Sequence, residues 1–198
     1  MAPPSKGEIR REQLLRAALE LFSARGYDRA TTREIAERGG VAEAALFKYF
    51  ATKRDLFMEV LRSFGPAELL DLPWEDLADR PVREALTTAL TRYLDVRWEH
   101  RSWLRVLWQE AGRDDEAARE LRGQFRRFRR GMRDLLRELA ERGEVREEAA
   151  RPAAEVILMA IRGFLHRAAR RAEKRGWPQA RDGFVHGLVD VLLRGIAP

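Results

Sequence analysis

Residues 31–50, TTREIAERGGVAEAALFKYF, hold two short apolar patterns separated by a pair of glycines. Thr31 precedes Glu34 by three residues, a capping-box pattern that predicts a helix beginning at Thr32. This helix is predicted to end before the glycines, because glycine adopts the backbone conformations that stop a helix. Another helix is predicted to follow at once, over Ala42–Phe50. A core rarely needs such a break, so the pattern indicates a short helix turned outward from the protein body.

The spacing within this stretch is that of a helix-turn-helix. Ala36, Gly40 and Leu46 are spaced 4 and then 6. The small residue lets the helices approach, the glycine makes the turn and the leucine anchors the second helix. Ile35 and Val41 are predicted to fill the space between the helices. The second helix would then present its N-terminal end and one face to a DNA major groove. Taken alone, the spacing fits an ordinary hairpin in an all-α core equally well.

Outward from this motif, the apolar periodicity is helical. A first helix is predicted over Ile9–Arg25, followed by Gly26, where a helix C-cap takes a left-handed residue. Thr52 is predicted to cap a further helix that begins at Lys53 and stops at Gly65. The N-terminal part is therefore predicted to be a three-helix helix-turn-helix domain followed by one more helix.

The remaining residues also predict helices. Residues 64–82 hold three prolines and are predicted to link two domains, 1–62 and 63–198. Further helices are predicted at roughly 82–100, 102–111, 115–142, 150–175 and 178–194. The 115–142 helix carries an apolar seam spaced 4, 3, 4, 3, 4, formed by Leu121, Phe125, Phe128, Met132, Leu135 and Leu139. The sequence thus predicts an all-α protein of about nine helices.

Composition and charge limit the class of protein. The net charge is +6, of which residues 1–54 carry +4 and the remaining 144 residues +2. A phosphate-binding surface in the first quarter would produce this asymmetry, and so would a basic segment that only aids solubility. The polar start MAPPSKGEIRREQ, the absence of cysteine and the lack of an apolar run of about 20 residues predict a cytoplasmic protein.

The sequence predicts neither an enzyme nor a metal site. A glycine-rich phosphate loop, a G-x-S-x-G or H-E-x-x-H motif and a cysteine nucleophile are all absent. His100, His166 and His186 have no metal-ligand spacing, so no metal or other cofactor is expected. Arginine outnumbers lysine 34 to 4 and asparagine is absent. A thermophilic source and a GC-rich genome both explain that bias.

From Ile9 to Leu61 the chain resembles the N-terminal domain of the TetR (tetracycline-repressor) family of bacterial transcription regulators. The resemblance lies in LLRAALELFSARGYDRATTREIAERGGVAEAALFKYFATKRDLF, which holds LF-x-x-x-GY, T-T-x-E-I-A, G-V, L-F-x-Y-F and T-K-x-x-L-F in order. It covers about a quarter of the chain, and the rest resembles the family only in architecture. The resemblance implies a DNA-binding domain followed by a helical ligand-binding and dimerisation domain. Repression is the family's usual mode.

Three positions depart from the family pattern. Ala42 and Ala45 stand where serine or threonine is common, and Phe47 stands where tyrosine is usual. Each departure removes a hydroxyl that can reach a phosphate or a base. The second helix of the motif is therefore expected to be poor in hydrogen-bonding side chains.

The resemblance implies DNA contacts, residue by residue, at Thr32, Arg33, Glu43, Ala44, Ala45, Lys48, Tyr49 and Lys53. Arg33 is placed for a bidentate contact to guanine, and Glu43 could accept a hydrogen bond from a cytosine amino group. The two alanines could meet thymine methyl groups. Lys48, Tyr49 and Lys53 are expected on phosphates or base edges, Lys53 with help from the N-terminus of its helix. The alternatives are a core-edge role for Tyr49 and a solvated charge for Lys48.

The family resemblance also implies a homodimer on palindromic double-stranded DNA, held by the last two helices and their symmetry mates. Two broad apolar stripes near the C-terminus support it, with predicted dimerisation residues Ile157, Ile161, Phe164, Phe184, Leu188 and Leu192. A deep core within one chain would give the same stripes.

The family's C-terminal domain generally binds a small-molecule effector, whose identity the sequence does not give. All five tryptophans lie beyond residue 62, which predicts an aromatic pocket lined by Trp98, Trp103, Trp108, Phe128 and Phe164. Each of these residues could instead be ordinary core. The alternative to a DNA-binding regulator is a helical protein-interaction module whose apparent helix-turn-helix only packs.

Overall fold

The computed structural model describes residues 5–65, 72–171 and 176–196. Over those ranges the chain forms ten helices and no strand, so the predicted all-α fold is confirmed. The helices are α1 Lys6–Arg25, α2 Thr32–Arg38, α3 Glu43–Leu46, α4 Lys53–Ser63, α5 Trp74–Ala78, α6 Val82–Glu99, α7 Arg101–Glu110, α8 Asp115–Glu141, α9 Glu147–Arg171 and α10 Trp177–Ile196. The short α5 lies in the stretch predicted as a link, and residues 66–71 of that stretch lie outside the described residues.

The chain divides into two compact units. The first contains the residues up to Gly65 together with His100–Leu121, and the second contains the rest. In the first unit α1 is the central helix, and it packs on α2, α4 and α7. Its buried face includes Leu14, Ala18 and Phe22. Phe22 meets Phe57 of α4 with ring centroids 5.7 Å apart, which closes the core between α1 and α4.

Residues 100–121 lie in the first unit because α7 packs against α1 and α4. Trp103 is buried, and its indole Nε1 donates to the carbonyl of Leu61 over 2.9 Å. The buried carboxylate of Glu110 accepts from the backbone N–H of Tyr27 over 3.3 Å. The boundary predicted after residue 62 placed α7 with the C-terminal domain, whereas these contacts group it with the helix-turn-helix.

The second unit is built on the apolar faces of α6, α8, α9 and α10. Five of the six residues of the predicted α8 seam are buried, and Phe125 is half-buried. Helix α10 packs on α6 and on α9. Asp95 of α6 accepts from the guanidinium of Arg181 and from the indole of Trp177, which fixes the start of α10 against α6. No helix within the described ranges is both long and apolar enough to cross a membrane.

We expect the stability of the first unit to depend on Asp114, which links α4 to α8. Its carboxylate accepts from Arg54 and from the backbone N–H groups of Ala117 and Glu116. The Arg54 guanidinium, and then these amides, hold the pKa of Asp114 below its ordinary value of 3.8. A lowered folded pKa means that the stabilisation is complete above about pH 4 and is lost as the pH falls through the folded value.

Asp114→Asn should therefore lower the urea midpoint at pH 6 and flatten its decline between pH 6 and pH 3. Asp115→Asn is the control, because Asp115 is exposed and forms no ion pair with any described residue. An unchanged pH dependence in Asp114→Asn would contradict this assignment.

Candidate nucleic-acid interface

Helix α2 begins and ends as the sequence predicts. The Thr31 hydroxyl accepts from the backbone N–H of Glu34, and the Glu34 carboxylate accepts from the backbone N–H of Thr31 over 3.1 Å. The backbone N–H of Thr31, and then its hydroxyl, donate to the Glu34 carboxylate and hold its pKa below the ordinary value. At the other end Gly40 has φ +70°, a left-handed conformation. The N–H of Val41 then bonds to the carbonyl of Ala36 over 2.9 Å, which closes the turn.

Helix α3 is shorter than predicted, since it ends at Leu46 rather than Phe50. Beyond Leu46 the N–H groups of Lys48 and Tyr49 bond to carbonyls three residues earlier, so the chain tightens into turns. Leu46 and Phe50 are both buried, so residues 46–50 are held against the core at both ends. Ala42 occupies the N-cap without a side-chain hydrogen bond, as expected for a residue that lacks a hydroxyl.

The predicted DNA-contact residues of α2 and α3 lie on accessible surface, with Arg33, Ala44 and Lys48 exposed and Ala45 and Tyr49 half-buried. Neither Arg33 nor Lys48 forms a hydrogen bond or an ion pair with any residue that the structure describes. Two exposed cations without a partner among those residues thus lie on the helix-turn-helix, Arg33 in α2 and Lys48 after α3. This arrangement suits phosphate and base contacts.

Glu43 is engaged rather than free. Its carboxylate accepts from the Thr32 hydroxyl over 2.5 Å, so the first residue of α3 is joined to the first residue of α2. The carboxylate also lies in the first turn of α3, where the helix dipole favours a negative charge. The structure thus gives Glu43 a positioning role beside the predicted contact to a base, which stays a prediction.

Lys53, the first residue of α4, is held in place by the loop after α1. Its ammonium lies 4.3 Å from the centroid of the Tyr27 ring and donates to the carbonyl of Asp28 over 3.4 Å. Burial lowers the pKa of Lys53, and the charges of Asp28 and Glu110 oppose that shift. The ring and the Asp28 carbonyl therefore hold the ammonium against the loop after α1.

Sequence reasoning did not count Phe47 among the DNA-contact residues, although its ring is 44% exposed on the same segment. A large exposed apolar ring beside two cations can pack on a sugar or a thymine methyl group. The sequence could have indicated this residue. Phe47 directly follows Leu46, the predicted anchor, so it lies on a different face of the segment.

The five residues predicted to line an aromatic pocket are divided between the two units. Trp103 and Trp108 belong to the first unit, where Trp103 is core and Trp108 lines an open groove of about 630 Å³ with Tyr27 and Glu110. In the second unit Trp98 stacks on Trp177 with centroids 4.2 Å apart. The predicted aromatic pocket stays a prediction.

Of the other two residues, Phe164 shares its neighbour Trp177 with Trp98, whereas Phe128 contacts other rings of the second unit. Phe164 stacks on Phe184 at 4.2 Å and lies 5.7 Å from Trp177. Phe128 packs on Tyr93 with centroids 3.8 Å apart.

Arg97 stands out in the core of the second unit. It is 0% exposed, and none of its three guanidinium nitrogens has a hydrogen-bond partner among the described residues. The guanidinium lies 5.1 Å from the ring of Tyr93 and 5.3 Å from the ring of Phe125. Burying an unpaired charge costs several kcal/mol, whereas a cation–π contact returns about 0.5–2 kcal/mol. No signal in the sequence marks this residue, which falls in an ordinary helical pattern.

The predicted dimerisation residues divide into two groups. Ile157, Ile161 and Leu192 are buried within their own unit, so the structure does not offer them to a partner chain. Phe164, Phe184 and Leu188 are half-buried. The apolar side chains that α9 and α10 expose are instead Val156 at 50%, Met159 at 73% and Val191 at 70%. Helical periodicity identified the apolar helices but not which of their faces the chain itself covers.

Neither unit gathers a metal site in the part of the chain that the structure describes, where no three His, Asp or Glu side chains are placed to hold an ion.

Two family models match the chain. One, described as bacterial regulatory proteins of the tetR family, matches residues 14–60. The other, described as the tetracyclin repressor-like C-terminal domain, matches residues 79–196. Together they cover the helix-turn-helix and most of the chain beyond it.

Relatives and solved structures agree with these matches. The HTH-type transcriptional repressor KstR2 of Mycolicibacterium smegmatis is 39% identical over 66 residues, 32% of this chain and of that protein. The chain thus matches about a third of the length of that relative. The nucleoid occlusion factor SlmA of Vibrio vulnificus is 30% identical over 188 residues, 84% of this chain and 87% of that protein. A TetR-like transcriptional regulator from Rhodococcus sp. RHA1 shares the fold, with a TM-score of 0.72 at 21% identity over 98% of both chains.

The turn at Gly40 yields a stability prediction. The space around a Cβ at Gly40 is open, so only its φ of +70° opposes a side chain. Gly40→Ala should lower the free energy of unfolding by about 1–2 kcal/mol, and Gly40→Asn by less, since asparagine tolerates this conformation. Gly112→Ala is the control, because Gly112 also has open space but no positive φ. Equal urea midpoints for Gly40→Ala and Gly112→Ala would contradict the assignment.

Proposed function

The chain belongs to the TetR family of bacterial regulatory proteins, and from that premise we propose that it is a ligand-responsive repressor that binds a palindromic operator as a homodimer. The family is one of DNA-binding transcription regulators with a helix-turn-helix, and the relative KstR2 is named as a transcriptional repressor. The observation that carries the proposal is the exposed α3 segment, sealed on its core side by Leu46. The same helix-turn-helix exposes Arg33 in α2 and Lys48 after α3, two cations that no described residue pairs.

The proposed DNA contacts follow from what each side chain can reach. Arg33 is the predicted reader of a guanine, a contact that discriminates between bases by about 1–3 kcal/mol. Lys48 and Lys53 are assigned to phosphates, which fix the register of the protein without specifying sequence. Ala44, Ala45 and Phe47 supply an apolar surface for thymine methyl groups. A segment with so few hydrogen-bonding side chains would depend heavily on Arg33 for specificity.

The proposed homodimer follows from the size of this surface and from α9 and α10. One short helix covers only a few base pairs, so useful affinity requires two copies on an inverted repeat. The exposed Val156, Met159 and Val191 are an apolar surface that an isologous partner could cover. Gly183 and Gly187 of α10 have open space around their Cα atoms, so no described residue hinders close approach of another helix there.

A small-molecule effector would act by changing the spacing or mobility of the two DNA-contact segments, a coupling free energy between two sites. Occupation of the operator by the dimer would block transcription, and the proposed location is the cytoplasm, where the DNA is.

Duplex binding measured across a range of salt concentrations tests the proposed function. We expect nonspecific duplex to bind at low salt, with the logarithm of the binding constant falling linearly with the logarithm of salt concentration. Arg33→Ala should relax the preference at one base pair per half-site. Lys53→Ala should weaken binding to all sequences alike and reduce the salt slope by about 0.9 per site.

Arg137→Ala is the matched control, because it removes one exposed arginine from the second unit. Its affinity and salt slope should equal those of the unmodified protein. Indifference to duplex at low salt would sink the proposed function. A uniform loss in Arg33→Ala with a base-specific loss in Lys53→Ala would contradict the assigned roles.

Sedimentation equilibrium tests the proposed dimer face. Met159→Glu combined with Val191→Glu should convert the dimer to monomer, because an unpaired carboxylate buried at an interface is strongly unfavourable. The helical circular dichroism should not change, since both positions are exposed in the single chain. Ile9→Glu, which places the same charge at an exposed apolar residue of α1, should leave the dimer intact. A doubly substituted protein that remains dimeric would contradict this face.

A further inference from the structure

The buried Arg97 in the second unit lacks, among the described residues, the partner that its chemistry demands. A guanidinium carries five N–H donors and keeps its charge in a protein interior. All three nitrogens of Arg97 are buried and form no hydrogen bond with any residue that the structure describes. The hydroxyl of Tyr93, one turn earlier on the same helix, is also buried and in the same condition. Two buried polar groups thus lie on one side of α6, and neither has a hydrogen-bond partner elsewhere among the described residues.

The neighbouring carboxylate does not supply the missing charge. Asp95 lies two residues before Arg97 but is committed to Arg181 and Trp177. Within the described ranges no carboxylate pairs with Arg97, whose close partners there are the faces of the rings of Tyr93 and Phe125. Ring faces offset a buried charge but cannot accept its five hydrogen bonds. An acceptor from outside the chain would complete the site.

We propose that the effector is a small monocarboxylate with an apolar body, and that Arg97 and the Tyr93 hydroxyl bind its carboxylate. The guanidinium fork matches the two oxygens of a carboxylate, and the hydroxyl supplies one further donor. One negative charge neutralises one buried positive charge. A phosphate monoester carries about 1.5–2 negative charges at neutral pH, so it would leave charge buried without a partner.

The aromatic residues around Arg97 indicate that the rest of the ligand, beyond its carboxylate, is apolar. Phe128 stacks on Tyr93 at 3.8 Å, and Trp74 meets Phe128 at 5.5 Å, so a file of rings leads from Arg97 to the half-buried Trp74. The Trp74 ring rests directly on the backbone of α8 at Gly131, where a Cβ would overlap it. Any larger residue at position 131 would displace that ring. The fold thus places the rings of Tyr93, Phe128 and Trp74 in a row that begins at the Arg97 guanidinium.

The regulatory part of this inference rests on the proposed function as a ligand-responsive regulator. Arg97 stands three residues before His100, where the chain passes into the first unit. Phe125 stands four residues after Leu121, where α8 passes out of it. A ligand that orders these two positions therefore acts on the segments that join the DNA-contact unit to the rest of the chain.

The test uses the full chain with decanoate and 2-naphthylacetate as probes, followed by calorimetry and thermal unfolding. Decanamide and 2-naphthylacetamide have the same apolar groups as the two acids but carry no charge. Decyl phosphate carries a phosphate on a ten-carbon chain in place of the carboxylate. We expect at least one acid to bind at least tenfold more tightly than its amide. Arg97→Met should weaken that acid about 10- to 100-fold, the usual range for a lost hydrogen bond to a charged group. Tyr93→Phe should weaken it by a smaller factor.

Two controls separate recognition from folding. Arg97→Met should unfold at a temperature no lower than that of the unmodified protein without ligand, because it removes an unpaired buried charge. Arg92→Met, on an exposed position of α6, should leave acid binding unchanged. Acids that fail to bind, amides that bind as tightly, or an Arg97→Met variant with full acid affinity would each overturn the proposal. Tighter binding of decyl phosphate would overturn the proposal that the ligand's anionic group is a carboxylate and would indicate a phosphate.

Duplex affinity in the same preparations distinguishes this inference from the proposed function. The bound acid should lower duplex affinity in the unmodified protein and not in Arg97→Met. Duplex binding without acid binding would overturn the inference and leave the proposed function standing. Acid binding without duplex binding would overturn the proposed function and leave the binding of the acid at Arg97 standing. Acid binding that leaves duplex affinity unchanged would overturn the effector role.

Discussion

The burial of Leu46 is the interaction on which the DNA-contact surface depends. Helix α3 has only four residues, and so short a helix does not hold itself together in water. Its position is fixed by contacts on its core side. Leu46 is buried in the core, and Gly40 takes a positive φ in the turn that precedes the helix. The Thr32–Glu43 hydrogen bond adds a third attachment at its N-terminus. Under the proposed function, a surface fixed in this way would keep its side chains in register with a rigid duplex.

The same unit extends further along the chain than the motif itself. Trp103 and Glu110 tie α7 to α4 and to the loop after α1, so a segment beyond residue 100 is structurally part of the DNA-contact unit. Arg54 and Asp114 add an ion pair between α4 and the start of α8. Under the proposed function a ligand acts from the second unit, and the chain passes between the two units within a few residues of the buried Arg97.

Local rules predicted much of this from the sequence. The capping box at Thr31, the turn at Gly40 and the anchor Leu46 are short-range patterns, and all three hold in the structure. The expectations that failed depend on contacts distant in sequence. One is the length of α3, which ends at Leu46, after which the chain tightens into turns before the buried Phe50. Periodicity marked α9 as apolar but could not show that Ile157 is covered by its own chain while Met159 is not.

Selection of bound sequences from a random pool of DNA tests the central claim most directly. If two α3 segments contact one face of a duplex from a symmetric dimer, the recovered sequences should converge on an inverted repeat. The centres of its half-sites should lie about 10 base pairs, or a multiple of that, apart. Recovery of unenriched sequences, or of a single half-site that is never repeated, would contradict the account.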